Sequence, residues 1–147
     1  MAVASRRAQT LWEGNLARGA GTVEVDSGAI DRLPVTWAAR TEAPGGKTSP
    51  EELAAAAHSS CFSMALALRI AEHGHDAERL TVASVVTLDE VDGAPTVVSS
   101  EIEVHASVPG LGREEFDAAV DEAAQLCPIS RLFAGARVSV HAELEQE

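Results

Sequence analysis

The pattern of hydrophobic and polar positions changes period several times along the chain, and each change predicts an element. Segment 8–14, with Leu11 beside Trp12, and segment 22–26, with Val23 and Val25 on one face, carry the two-residue period of half-buried strands. Leu33 to Arg40, holding Val35 and Trp37, reads as a third strand. Turns at 15–21 and at Ser27-Gly28 join them into an antiparallel meander. The period then lengthens. From Ser49 to His73 the chain predicts one long helix, with Ser49 as N-cap, Pro50 at the first helical position, Glu52 completing a capping box and Gly74 as the stop. Between Leu53 and Ile70 the strongly polar residues are His58, Ser59, Ser60, Ser63 and Arg69, the mark of a buried helix.

Alternation returns loosely at 80–91 (Leu80, Val82, Val85, Leu88) and cleanly at Ile102, Val104, Ala106 and Val108. Asp92-Gly93 between them is a hairpin signal. Phe116, Ala119, Val120, Ala123 and Leu126 are spaced 3, 1, 3 and 3, so 113–126 predicts a second helix. Acids fill its first turn, where the helix dipole favours them. Pro128 interrupts it, and 129–133 suits one more helical turn. Residues 136–144 alternate throughout as a last strand. The order β-β-β-α-β-β-α-β predicts an α+β fold with a mainly antiparallel sheet and a long central helix. No linker or repeat divides the chain, and 1–147 is expected to be one domain. A helix over 50–73 is roughly 36 Å long. That exceeds the width of a small sheet, and a homodimer sharing the helix is the simple way to cover it.

Composition narrows the partners. The 147 residues carry 11 basic against 23 acidic side chains, a net charge of −12. Nucleic acid and anionic membrane surfaces both require clustered Lys and Arg, so neither is an expected partner. No apolar run of the length needed to span a bilayer is evident. The start, with Arg6, Arg7, Gln9 and Glu13, lacks an apolar signal core, and a cytoplasmic protein is expected. Two cysteines in that setting are core thiols, a redox pair or part of a metal site.

Cys61 lies at the middle of the long helix, with His58 three positions before it on the same face. Burial alone would raise its pKa and leave it inert, so a reactive Cys61 needs a cation; His58, Arg18, Arg40 and Arg69 are candidates. Cys127 ends the second helix before Pro128. Packing and chemistry both remain open for the pair on these grounds.

Three segments carry a resemblance. They are Asn-Leu-Ala-Arg-Gly-Ala-Gly-Thr-Val at 15–23, Thr-Ser-Pro-Glu-Glu-Leu-Ala-Ala-Ala-Ala-His-Ser-Ser-Cys-Phe-Ser-Met-Ala-Leu at 48–66, and Gln-Leu-Cys-Pro-Ile-Ser-Arg-Leu at 125–132. In this order they resemble the OsmC/Ohr family of thiol peroxidases. Trp12-Glu13-Gly14 and the run from His58 to Leu66 are more similar to its OsmC branch. The resemblance implies an intertwined homodimer of α+β subunits acting on organic hydroperoxides, and less efficiently on hydrogen peroxide. No metal, haem or flavin is implied; electrons come from an external dithiol, a reductant protein or a small thiol. By the same resemblance Cys61 is the peroxidatic cysteine, Cys127 the resolving one, and a Cys61–Cys127 disulfide the oxidised product. An arginine holding the thiolate would be Arg40, as in the OsmC branch, or Arg18, as in the Ohr branch, with Glu51 orienting it. Glu51 and Cys61 are ten positions apart, about 15 Å along an unbroken helix. A bend, a bridging arginine or a second copy would have to bring them together. The rival expectation is a non-catalytic dimer of the same fold that binds a small hydrophobic ligand.

Overall fold

A computed structural model describes residues 1–146. Its fold is α+β, with two three-stranded sheets of order β1-β2-β3 and β4-β5-β6. By internal contacts the chain forms two compact units, Met1–Leu53 and the chain from Ala54 onward.

In the first unit, β1 (Ala8–Glu13), β2 (Ala20–Val25) and β3 (Leu33–Val35) form the antiparallel meander that the alternation predicts. Gly21 is required where β2 is crossed most closely. A Cβ there would meet Val35 Cγ2 at 2.8 Å and Trp12 Cε3 at 2.9 Å. The third strand is shorter than Leu33 to Arg40. It stops at Val35, because the Thr36 hydroxyl accepts the Ala39 N–H at 3.1 Å and starts a helix, α1 (Trp37–Thr41). Two apolar residues two apart cannot separate a strand from a helical turn, and the N-cap decides it. Arg40 therefore projects from a helix. Little of this unit is buried: every residue of β1 is exposed, Leu11 at 60% and Trp12 at 38%.

Helix α2 (Pro50–Glu72) runs without interruption across the boundary at Leu53. Ser49 Oγ accepts the Glu52 N–H at 3.2 Å as a capping box requires, but the Glu52 carboxylate takes the Thr48 hydroxyl at 2.7 Å instead of closing the box. The helix is buried on one face only. His58, Phe62, Ala65, Leu66 and Ile70 point into the second unit's core, while Met64 is 73% and Leu68 50% exposed. Small apolar residues all round suggested complete burial, so this is a correction: their number exceeds what one chain covers. By length and composition α2 is also long and apolar enough to cross a membrane, which the sequence reading had not found. Its buried face is occupied by core packing and by a hydrogen-bonded histidine.

In the second unit β4 (Arg79–Val91) and β5 (Ala94–Ser107) form a long hairpin, paired to Val91↔Ala94 across a two-residue turn. Asp92 (φ 52) and Gly93 (φ 79) both have positive φ there, as a type I′ turn demands. Helix α3 (Arg113–Leu126) and the turn α4 (Pro128–Leu132) lie between β5 and β6 (Arg137–Leu144). This connection is long enough for β6 to pair parallel to β5, whereas the other pairs of named strands are antiparallel. The core joins Phe62, Leu66 and Ile70 of α2 to Ile102 and Val104 of β5, Phe116 and Ala123 of α3, and Cys127.

Candidate active site

Residues singled out in the sequence fall into two groups. The first, in the N-terminal unit, is Arg40 with Glu51. The Arg40 Nη2 lies 2.7 Å from Glu51 Oε1, and its Nε donates to both carboxylate oxygens at 3.1 Å. A guanidinium held this way presents its remaining donors in a defined direction. Local structure explains the meeting: α1 begins at the Thr36 cap, and α2 carries Glu51 in its first turn, where a carboxylate also answers the helix dipole. Trp37 stacks beside the guanidinium, its ring centroid 5.9 Å from Arg40 Cζ. Arg40 borders an apolar cavity of about 460 Å³ lined by Trp12, Leu16, Val23, Trp37 and Leu53. Arg18 stands apart. It is exposed, and its guanidinium makes no hydrogen bond or ion pair among the described residues.

Glu51 is almost wholly buried and depends on Arg40 for its counter-charge. Replacing Arg40 with methionine keeps the stem but strands that carboxylate. It is expected to destabilise the fold by about 2 kcal/mol, read as a shift in urea midpoint, with most of the loss recovered in the Arg40→Met/Glu51→Gln double variant. Additive losses would show that the pair is not coupled.

The second group is the dithiol. Cys61 is half-buried on α2 and Cys127 fully buried at the end of α3; both are free thiols. The two thiols are near enough to perturb each other's ionisation. Cys127 also caps α4, its Sγ accepting the Ser130 N–H at 3.5 Å. The two thiols are driven apart in acidity. Burial pushes the Cys61 thiol up, and the neighbouring Cys127 sulfur adds to the rise. Burial would raise Cys127 too, but hydrogen bonds from the Ser130 side chain and backbone, from Cys61 and from Ile129 outweigh it and hold Cys127 below the ordinary thiol range.

Sequence reasoning placed His58 beside Cys61 as a possible cation, and the structure gives it another setting. His58 is fully buried, its Nδ1 2.6 Å from Ser100 Oγ and its Nε2 2.7 Å from Ser130 Oγ. Burial lowers its pKa, so the ring is held neutral. Phe133 packs on it at 5.1 Å between centroids, and Ser84 Oγ lies 3.0 Å from Ser100 Oγ. Ser100, Ser130 and Ser84 were not singled out from the sequence. Ser100 could have been noticed as a polar residue in the β5 run, but only the fold puts it opposite His58.

Paired thiols on an α+β scaffold, one helix-borne and one buried at a helix end, define the class of protein. Residues 43–143 match the family described as OsmC-like protein. Peroxiredoxin OsmC of Escherichia coli (strain K12) is 36% identical over 127 residues, covering 86% of this chain and 88% of that one. An organic hydroperoxide resistance protein of Xanthomonas axonopodis pv. citri (strain 306) is 31% identical over 96 residues, 63% of this chain and 64% of that one. The solved structure of an organic hydroperoxide resistance protein OsmC from Legionella pneumophila superposes with a TM-score of 0.73 at 25% identity, covering 99% of this chain and 100% of that chain. The chain belongs to the OsmC-like family.

Proposed function

We propose that this protein is a cysteine-based peroxidase that reduces organic hydroperoxides, and hydrogen peroxide less efficiently. The observation that carries the reading is the pair of free thiols, Cys61 on α2 and Cys127 at the end of α3, which perturb each other's ionisation. The names of its relatives, a peroxiredoxin and organic hydroperoxide resistance proteins, support the same class. The Cys61 thiolate attacks the O–O bond, its sulfur becoming a sulfenic acid while the distal part of the peroxide leaves as an alcohol. Cys127 then displaces that oxygen as water and closes the disulfide, which an external dithiol reduces by exchange. Thiols supply both electrons, so the reaction calls for no metal or prosthetic group. A buried thiol needs a cation to ionise; of the two arginines proposed for that role, Arg40 is oriented by Glu51, whereas Arg18 makes no ion pair among the described residues.

The working form is a homodimer in the cytoplasm. Met64 and Leu68 on the uncovered face of α2 give a second copy apolar surface to bury. The tryptophan-lined cavity favours the rival reading, a binding protein for a small apolar molecule. One measurement separates the two. Reduced protein given one equivalent of tert-butyl hydroperoxide is expected to lose about 2 Da by intact mass as the two thiols become one disulfide. Two thiols still open to alkylation after that exposure would refute the peroxidase and leave the binding protein.

A further inference from the structure

The buried polar chain behind Cys127 has no part in the reaction as written so far. It starts at Ser130, whose backbone N–H donates to Cys127 Sγ (3.5 Å), runs from the Ser130 hydroxyl to His58 Nε2 (2.7 Å) and from His58 Nδ1 to Ser100 Oγ (2.6 Å), and ends at Ser84 Oγ, 3.0 Å from Ser100 Oγ. Burying an imidazole and a serine at no exposure, in a core otherwise apolar, carries a desolvation cost that leucine and alanine would avoid. Packing does not call for such a chain, and its end at a sulfur points to a use. The groups facing His58 come from β5 (Ser100), from α4 (Ser130) and from Phe133; no acidic or basic side chain hydrogen-bonds it among the described residues.

We propose that His58, acting through Ser130, is the positioning residue that takes the proton of Cys127 when the disulfide closes. The inference rests on the peroxidase reading above and concerns its second step. In the reduced protein the Cys127 Sγ accepts the Ser130 N–H, the Ser130 O–H donates to His58 Nε2, and the His58 Nδ1–H donates to Ser100 Oγ. When Cys61 carries a sulfenic acid, the Cys127 proton passes to Ser130 as the Ser130 proton passes to Nε2. Ser130 then donates to the thiolate it has made. That thiolate attacks the Cys61 sulfur, the S–O bond breaks, and hydroxide departs. The proton held on the imidazolium neutralises that hydroxide, giving one water and one disulfide with no net change in protons. Burial helps here. A histidine held neutral at rest can accept a proton, and its charged form is too costly to persist.

The test follows two steps in one experiment, after a single equivalent of tert-butyl hydroperoxide under rapid quench. Sulfenic acid is trapped with dimedone, and disulfide is counted by intact mass. In His58→Phe and Ser130→Ala the conversion of sulfenic acid to disulfide is expected to slow about 10²-fold relative to sulfenic acid formation. The slowed step should also regain speed as pH rises, since hydroxide replaces the missing base, while the parent protein stays nearly flat. Ser130→Thr retains the hydroxyl and is expected to recover most of the rate. Equal disulfide rates and equal pH profiles in parent and variants would overturn the inference. If His58→Phe does not fold, as judged by circular dichroism, the Ser130→Ala and Ser130→Thr pair decides alone. Absence of any sulfenic acid in the parent protein is a different failure, that of the peroxidase reading.

Discussion

Cys61→Ser is expected to consume tert-butyl hydroperoxide no faster than the dithiol reductant alone, a loss on the order of 10³-fold or more in kcat/KM. The size follows from the atom exchanged. A thiolate is a soft nucleophile whose sulfur accepts the oxygen it removes and can be reduced again. A serine hydroxyl in the same half-buried place would have to ionise far above neutral pH and has no comparable oxidised form. Cys127→Ser should behave differently, forming the sulfenic acid and then stalling, because the attacking sulfur of the second step is missing. Loss of peroxide measured against time, with dithiothreitol as reductant, checks both. Retention of a tenth of the parent rate by Cys61→Ser would remove Cys61 from the mechanism.

The second large effect is on stability. Phe62→Ala is expected to cost about 3–5 kcal/mol, because the ring is fully buried where α2 meets the cluster of β5 and α3. At this chain length that lowers Tm by about 10 °C, measured by calorimetry or circular dichroism. Phe62 also follows Cys61 directly and fixes which way α2 faces the core. A cost below about 1 kcal/mol would mean that α2 is held mainly by its other face. Arg40→Met, by comparison, disturbs a pair near the surface of the N-terminal unit and carries the smaller penalty given above.

The acidity of the two thiols bears on how these variants are read. With Cys127 held below and Cys61 above the ordinary range, the pair releases its protons in two coupled steps. A mechanism starting at Cys61 therefore needs a cation to reverse that order. Within its own unit Arg40 is held in a fixed direction by Glu51.

Much of the fold was legible because its signals are local. The alternation of 136–144, the 3-1-3-3 spacing of α3 and the Asp92-Gly93 turn each depend on neighbours a few residues away, and each element forms where its pattern lies. The pairing of Glu51 with an arginine was also an expectation, drawn from the resemblance, and Arg40 is the arginine that meets it. Other features were not local. The helix α1 turned on a single threonine cap, and the parallel pairing of β6 on where a crossover brings the chain back. The hydroxyls of Ser84, Ser100 and Ser130 are 16 to 72 positions from the residues they bond. Nothing in a serine's surroundings along the chain marks such a partner.

By itself, then, the sequence determined most of the strands and both long helices, that α2 would be too long and apolar for its own chain to cover, and which two sulfurs could react. Only the tertiary structure decided that one face of α2 is left open, that the two thiols come near enough to perturb each other, and that His58 is buried between Ser100 and Ser130 rather than standing as a cation beside Cys61. The reason is the range of the forces involved. Backbone preferences and amphipathic periods act over a turn or a strand pair, whereas a buried hydrogen bond or a thiol's acidity depends on what packing brings from distant parts of the chain.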